Sequence, residues 1–118
     1  MRFLTLLLLC AAATAQAQQQ VPDAKWVVGD QAGQAYVLLP ETVSGSSTIT
    51  IQFDFFPDIT KAPRRISLAV EGCDQGHGTA KFTLGSTVIK EDNWLATGEQ
   101  VLDALAEGAC QAARERST

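Results

Sequence analysis

The sequence predicts an α+β protein in which a small β-sheet of about five to six strands packs against one C-terminal helix, with one disulfide between them. Three observations support this class. Apolar and polar residues alternate from Thr48 to Phe56, as in a half-buried strand. A helical pattern of apolar residues follows Thr97. Cys73 and Cys110 lie near the ends of a predicted strand and of that helix.

Residues 1–17 have the organisation of a secretory signal peptide. A positive start, Met1-Arg2, precedes an apolar run over residues 3–13, and Ala15-Gln16-Ala17 supplies small residues for cleavage. The apolar run is too short to cross a bilayer, which takes about 20 residues. We therefore expect export, cleavage after Ala17 and no membrane span.

Cys10 leaves lipidation open as an alternative to simple cleavage. A lipidation motif requires a small residue before the cysteine, whereas Leu9 is large and Cys10 lies inside the apolar core of the signal. An unlipidated product is therefore favoured. The mature chain, residues 18–118, is predicted to form one domain in which residues 18–22 are disordered.

Signal cleavage leaves Cys73 and Cys110 as the cysteines of the mature chain. Cysteines of an exported chain are expected to be oxidised, and two cysteines allow one intramolecular pairing. Neither lies in a C-x-x-C motif and the sequence contains one histidine, so a redox or metal role is the less favoured alternative. A bridge over a loop of this length stabilises the fold by about 4 kcal/mol.

The first strands are predicted at 25–29 and 34–39, separated by the turn residues Asp30-Gln31-Ala32-Gly33. Pro40 is expected to end the second strand because proline has no N–H for a ladder hydrogen bond. Residues 42–44 extend only briefly before the next turn.

The strand that begins at Arg64 is expected inside the sheet, after a proline-bounded loop at residues 57–63. Its alternation places Cys73 on the face opposite to the apolar one, unless Gly72 forms a β-bulge. The bulge is favoured because the helix must cover the apolar face, which consists of Ile66, Leu68 and Val70.

A glycine-rich turn at residues 74–78 leads into a further strand at 79–84. A short continuation at 87–89 and a polar loop at 90–93 are expected to follow. The side chains predicted to point inward from the strand are Ala80, Phe82 and Leu84.

The helix is predicted from Gly98 to about Ala112. Thr97 and Gln100 have the spacing of a capping box, and Trp94 is placed to pack onto the helix start. The predicted buried stripe is Val101, Leu102, Leu105 and Ala109, with Cys110 on its flank. The residues expected to face water are Asp103, Glu107 and Gln111.

Composition excludes some classes of function. The chain has 9 Lys and Arg against 13 Asp and Glu, a net charge of −4, and its charges are scattered. The basic stripe that nucleic-acid binding requires is missing from the sequence. An acidic chain is also not attracted to anionic lipid, so we expect neither a nucleic-acid partner nor membrane binding.

His77 is the one residue that invites a metal or general-base hypothesis, because Glu71 and Asp74 precede it. Metal sites usually need three or four ligands at fixed spacing, so a solvated turn histidine is the favoured interpretation. Ser67 and Ser86 lack the motif of a nucleophile elbow.

The remaining candidates are also interpreted as structural. The glycine run 72–78 precedes no helix that would bind phosphate. Asp54 and Asp58 are interpreted as loop solvation, and Phe56 is expected to be exposed or covered by the loop. The aromatic residues assigned to the core are Trp26, Tyr36, Phe53, Phe55, Phe82 and Trp94. We therefore predict no catalytic, cofactor-binding or metal-binding residue.

The order of several features resembles the surface-adhesin protein E-like family of small bacterial envelope proteins. They are Ala24-Lys25-Trp26, the Tyr36 strand, a threonine-rich alternating strand, the Arg-led strand ending in Cys73, then Trp94, Gly98-Glu99-Gln100-Val101-Leu102-Asp103 and Cys110. The resemblance covers nearly the whole mature chain. It implies an antiparallel sheet against a C-terminal helix, bridged cysteines, and adhesion to host matrix and plasma proteins.

The function expected from the sequence is that of a non-enzymatic, exported bacterial envelope protein, adhesin-like or otherwise protein-binding. Because the lipidation motif of a surface-anchored adhesin is missing, the periplasm is favoured, with the cell surface or the medium as alternatives. The alternative function is a periplasmic inhibitor or immunity-type protein that blocks an enzyme. The partner is accordingly a host matrix protein or an envelope enzyme, and no cofactor is expected. The oligomeric state stays open.

Overall fold

The computed structural model describes residues 23–29 and 32–117. The predicted signal peptide, Cys10 and residues 18–22 lie outside the described residues, as do Asp30 and Gln31 of the first turn. In the described part of the chain, a short 3-10 turn at Ala24–Trp26 precedes six strands and one helix. The strands are β1 (Val27–Gly29), β2 (Ala35–Ser44), β3 (Thr48–Phe56), β4 (Arg64–Glu71), β5 (His77–Leu84) and β6 (Thr87–Leu95), and the helix is α1 (Val101–Ser117).

The strands form one antiparallel sheet in the order β1-β2-β3-β4-β5-β6, so each strand pairs with its neighbours in sequence. The α+β class, the sheet of six strands and the C-terminal helix are confirmed. The sheet's apolar face is set by register. Ile51 pairs with Leu68, and Leu68 pairs with Phe82, so the three side chains share one face.

The alternation predicted for β3 is also confirmed. Ile49, Ile51 and Phe53 are buried, while Thr48 and Thr50 are exposed. This pattern gives the sheet one face for the helix and one face rich in polar side chains.

Helix α1 crosses the sheet at the end that carries the β2–β3 and β4–β5 turns, which we call the closed end. Near its C-terminus, the Arg116 guanidinium donates hydrogen bonds to the carbonyl oxygens of Val43 (3.1 Å) and Gly45 (2.8 Å). Burial of Leu105 alone stabilises this docking by about 1.5–3 kcal/mol. The side chains that α1 buries include Leu102, Leu105, Ala106, Ala109 and Cys110.

The disulfide between Cys73 and Cys110 is confirmed and joins the β4–β5 turn to α1, with 5.5 Å between the two Cα atoms. The bulge predicted at Gly72 is not how Cys73 reaches the helix. Strand β4 ends at Glu71, and Gly72 has φ +94°, a left-handed conformation that glycine adopts without strain. The turn itself therefore directs Cys73 toward the helix.

Pro40 does not end β2, contrary to the sequence prediction. The strand continues to Ser44 across a register shift between Leu39 and Ser44. The hydroxyl of Thr42 donates to the carbonyl oxygen of Leu39 (2.7 Å) and accepts from the N–H of Gln52 on β3 (2.8 Å). A side chain thus bridges the strands where the backbone ladder is interrupted.

The predicted polar loop at residues 90–93 is wrong, because these residues lie inside the nine-residue strand β6. Leu84, predicted to point inward, is 38% exposed at the end of β5. Ala80 is buried as predicted, and Phe82 packs against the core while remaining half-buried.

The predicted capping box of Thr97 and Gln100 is also wrong, because α1 begins at Val101. Asp103 performs the capping instead. It was expected to face water, but it is 7% exposed and its carboxylate accepts a hydrogen bond from the N–H of Gln100 (3.1 Å). Trp94 is buried, and its indole N–H donates to the Glu71 carbonyl oxygen (2.9 Å) on β4.

Candidate protein-binding surface

Exposed apolar side chains are concentrated at the end of the sheet opposite to α1. Six large hydrophobic residues of the described chain are at least 38% exposed. Four of them lie on the β3–β4 loop or beside the β5–β6 turn, which are both connections at this end of the sheet. We call them the open-end surface, and they are Ile59 (70% exposed), Leu84 (38%), Val88 (51%) and Ile89 (49%).

Ile59 is held out from the fold by a hydrogen-bonded turn. The N–H of Lys61 donates to the carbonyl oxygen of Asp58 (2.9 Å), which closes a β-turn with Ile59 at its first central position. The Asp58 carboxylate accepts from both the N–H (3.0 Å) and the hydroxyl (2.8 Å) of Thr60. The turn is therefore fixed by its own groups and presents Ile59 to solvent.

The same bonds act on the charge of Asp58. Both Thr60 donors stabilise the ionised carboxylate, the backbone N–H more than the hydroxyl, and they hold the pKa of Asp58 below its ordinary value. The residue interpreted from sequence as loop solvation thus organises the loop.

Asp54 has a different role at the base of this loop. It pairs across the strands with Arg65, whose Nε and Nη2 atoms both donate to its carboxylate oxygens. The hydrogen bond to Asp54 raises the pKa of Arg65 above its ordinary value. Arg65 is exposed, so this pair orients the strand ends more than it stabilises the fold.

The β5–β6 turn places the other three members of the open-end surface. Leu84 pairs with Thr87 around Gly85, which has φ +64°. A register shift follows, because Phe82 pairs with Lys90 while Thr83 pairs with Val88. Ile89 is the extra residue, and neighbouring Val88 and Ile89 are both about half exposed.

An aromatic cluster lies on the helix-facing side of the sheet and supports this end. The ring centroids of Tyr36 and Phe55 are 5.0 Å apart, those of Tyr36 and Phe53 are 6.0 Å apart, and those of Phe53 and Phe82 are 5.5 Å apart. The core assignment of the six aromatic residues is confirmed. Phe56, expected to be exposed or covered, is half-buried.

The residues of the metal hypothesis do not form a site. His77 is the first residue of β5, is exposed and pairs with Leu95. Glu71 accepts a hydrogen bond from the Thr48 hydroxyl (3.4 Å). Within residues 23–29 and 32–117, no group of three or more His, Cys, Asp and Glu side chains is placed to hold a metal ion.

The other sequence candidates are dispersed. Ser67 lies on β4 between Gln52 and Thr83, and Ser86 lies in the β5–β6 turn. In the glycine run, any Cβ atom on Gly72 or on Gly78 would overlap backbone of the facing segment, so these glycines permit a close approach.

A groove of about 250 Å³ lies beside the disulfide at the closed end, lined in part by Asp74, Arg114 and Arg116. Two of the Arg116 nitrogens already donate to backbone carbonyls. The acidic Asp74 and the negative C-terminal end of α1 oppose an anionic ligand there. The groove therefore fits an anion site poorly.

The fold and this surface define a small α+β protein with one disulfide. Its open-end surface exposes apolar side chains at the end of the sheet opposite to α1. Comparison of the chain with protein-family models, curated proteins and solved structures found no match. No helix in the described part of the chain is long and apolar enough to span a bilayer.

Proposed function

We propose that this chain is an exported bacterial envelope protein that binds another protein through the open-end surface and catalyses no reaction. The observation that supports the proposal is the 70% exposure of Ile59 on a turn fixed by Asp58 and Thr60. Binding residues are often carried on loops that a rigid scaffold positions. Burial of the exposed Ile59 side chain against a partner would therefore contribute favourable free energy to binding.

The expected binding energy is concentrated in few residues. Complete burial of an exposed Ile contributes about 1.5–3 kcal/mol, and a loop that is already ordered loses little entropy on binding. Leu84, Val88 and Ile89 are further exposed apolar side chains at the same end of the sheet. The net charge of −4 favours partners with a basic rim, because opposite charges raise the association rate.

Export and an adhesin-like role are part of the proposal. The disulfide fits an oxidising compartment. The resemblance to the surface-adhesin protein E-like family supports a host matrix or plasma protein as the partner. Periplasm and cell surface are distinguished by adding protease to intact cells, since a surface protein is degraded and a periplasmic one is protected.

An enzyme inhibitor is the second candidate, and the shape of the β3–β4 loop favours it. The loop is bounded by Pro57 and Pro63 and carries one apolar side chain at a hydrogen-bonded tip. A preordered loop of this kind can insert into the cleft of a hydrolase with little entropic cost. The partner would then be an envelope enzyme.

The test uses Ile59→Asp with Thr50→Asp as the matched control. Thr50 is exposed on the polar face of β3, so both variants add one negative charge to the surface. Immobilised wild type and variants are incubated with envelope extract and with purified matrix proteins, and affinity is measured for each captured partner. We expect Ile59→Asp to weaken binding by about tenfold or more, about 1.4 kcal/mol, and Thr50→Asp to leave it unchanged.

Equal binding by Ile59→Asp and wild type contradicts the proposal. Inhibition of a captured hydrolase by wild type, but not by Ile59→Asp, supports the inhibitor over the adhesin.

A further inference from the structure

The disulfide joins two sulfur atoms that lie in different surroundings. Cys110 is buried in α1 at 1% exposure, whereas Cys73 is half-buried in the β4–β5 turn. Exchange between a thiol and a disulfide depends on which sulfur the attacking thiolate can reach and on which thiolate leaves. The two cysteines are therefore not equivalent toward an external thiol.

Two depressions at the closed end adjoin at Cys73. The groove of about 250 Å³ beside the disulfide is lined by both cysteines. A second depression, of about 200 Å³, is lined by Cys73 and not by Cys110. Ser46 and Asp74 line both depressions, so the two adjoin beside Cys73. The surface on two sides of Cys73 is thus open to a reactant.

The β4–β5 turn holds Cys73 at this open place. Small residues that line the second depression include Ser46 and Gly72. A larger residue is excluded at Gly72, because a Cβ atom there would overlap the backbone of β5. The Gly72 carbonyl oxygen accepts hydrogen bonds from the N–H groups of Gln75 (2.9 Å) and Gly76 (3.0 Å), which close the turn around Cys73.

The position of the second depression favours attack on Cys73. A thiolate attacks a disulfide sulfur along the line of the bond that breaks, from the side opposite to the leaving sulfur. The second depression is lined by residues of the β2–β3 and β4–β5 turns and by none of α1, so it lies on the side of Cys73 away from Cys110. The corresponding approach to Cys110 would pass through α1.

Charges beside the two cysteines favour the same direction of exchange. Asp74 follows Cys73 directly, and its carboxylate opposes a thiolate on Cys73. Arg114 lies one turn after Cys110, and both line the first groove, so the guanidinium favours a thiolate on Cys110. The negative end of the helix dipole acts within the last turn of α1, which begins after Cys110.

We propose that Cys73 is the site at which a dithiol protein of the thiol–disulfide oxidoreductase class exchanges with this disulfide, and that Cys110 is the leaving group. In the first step, a thiolate sulfur of the partner forms a bond to Sγ of Cys73. The bond between the two cysteines breaks, and its electron pair leaves on Sγ of Cys110, which takes up a proton.

The second step releases the partner. Its other thiolate attacks the partner's sulfur in the mixed disulfide, and Cys73 leaves as a thiolate that is protonated in turn. The partner's dithiol has then become a disulfide, and its electron pair and protons have passed to the two cysteines of the chain. In the opposite direction, an oxidised partner forms the same mixed disulfide with Cys73, and Cys110 displaces it. The covalent link between the β4–β5 turn and α1 is thus made or removed through Cys73.

The test traps the mixed disulfide on the wild-type chain. The probe is reduced thioredoxin in which serine replaces the second cysteine of the C-x-x-C motif, so that the second step cannot follow the first. Mass spectrometry of the digested adduct identifies the cysteine that is linked. Under native conditions we expect about tenfold or more adduct at Cys73 than at Cys110. In urea, where unfolding removes the difference in access, both cysteines should be linked to similar extents.

Variants at the depressions test the role of access. Ser46→Leu narrows both depressions beside Cys73, and we expect it to slow trapping by about tenfold. Ser86→Leu is the matched control, since Ser86 lies in the β5–β6 turn at the other end of the sheet, and it should trap at the wild-type rate.

A charge reversal tests the leaving group. Arg114→Glu removes the cation beside the leaving thiolate and should slow trapping by about threefold or more. Arg64→Glu makes the same change of charge at the start of β4, at the other end of the sheet, and should leave the rate unchanged. The urea midpoints of all four variants should match that of wild type, which separates an effect on exchange from an effect on folding.

Adduct at Cys110, or similar amounts at both cysteines under native conditions, overturns the proposal. Adduct that forms in urea and not under native conditions also overturns it, as do wild-type trapping rates in both Ser46→Leu and Arg114→Glu. Ile59→Asp separates this inference from the proposed function, because it weakens partner binding at the open-end surface and leaves trapping unchanged.

Discussion

The carboxylate of Asp103 accepts a hydrogen bond from the backbone N–H of Leu95 (2.8 Å) and thereby joins the last residue of β6 to the first turn of α1. Its other oxygen accepts from the N–H of Gln100 (3.1 Å), an N–H that the helix itself cannot satisfy. With 7% exposure, Asp103 makes these bonds largely out of water. One side chain therefore sets both the helix start and the end of the sheet.

Replacing Asp103 with Ala should destabilise the protein by about 1–3 kcal/mol, because two backbone donors lose their acceptor in a buried position. Urea unfolding measures the loss. Glu99→Ala is the control, since Glu99 is an exposed acid just before α1 and its loss should stay within about 0.5 kcal/mol. A loss at Asp103 no larger than at Glu99 would show that the two bonds contribute nothing.

Gly98 extends the same test. A Cβ atom on Gly98 would overlap the Asp103 carboxylate, so Gly98→Ala should disturb the same bonds. In the Asp103→Ala background the overlap is gone, and Gly98→Ala should cost less there than in wild type. Equal costs in the two backgrounds would mean that the two residues act independently.

The fold could be predicted from the sequence where an element buries one face, because apolar residues then recur at regular spacing. Strand β3 alternates because one of its faces is covered, and Leu102, Leu105 and Ala109 recur because α1 docks on one side. Strand β6 has no such period at residues 90–93, since an outer strand is exposed on both faces there. The end of β2 was predicted wrongly at Pro40. The strand continues past this residue because the Thr42 side chain bridges β2 and β3 where the backbone ladder is interrupted.

The candidate site was less predictable than the fold. The sequence predicts the proline-bounded loop, but an apolar residue in a loop is as compatible with burial as with exposure. The 70% exposure of Ile59 is seen only in the folded chain, where the Asp58–Lys61 turn carries Ile59 at its first central position. Asp58 itself was a recognisable signal, since Asp often bonds its own backbone two residues on.

The pKa of Asp58 should lie below the ordinary value for an aspartate, because Thr60 donates two hydrogen bonds to the ionised form. An NMR titration of the Asp58 carboxyl carbon measures it. Thr60→Val removes the hydroxyl bond and retains the N–H, so the pKa should rise only part of the way. Thr42→Val, which removes a hydroxyl far from Asp58 in sequence, should leave it unchanged.

The sign of the pH effect follows from the direction of that shift. A carboxylate whose pKa is lower in the folded state stabilises that state fully above its unfolded pKa, and the contribution is lost as pH falls through the folded pKa. The turn that presents Ile59 should therefore loosen only in acid. A titration midpoint at or above the ordinary value would contradict the hydrogen bonds at Thr60.

Loss of the disulfide should be costly at either cysteine. The bond joins the β4–β5 turn to a helix residue that is 1% exposed, and α1 would be marginally stable in water if undocked. Cys73→Ala and Cys110→Ala should each lower the free energy of unfolding by about 2–5 kcal/mol, measured in urea. The double variant should lose little more than either single one, because both singles break the same bond. Reduced wild type should unfold at a urea concentration similar to that of the cysteine variants. A loss in the double variant close to the sum of the two single losses would mean that the cysteines stabilise the fold separately.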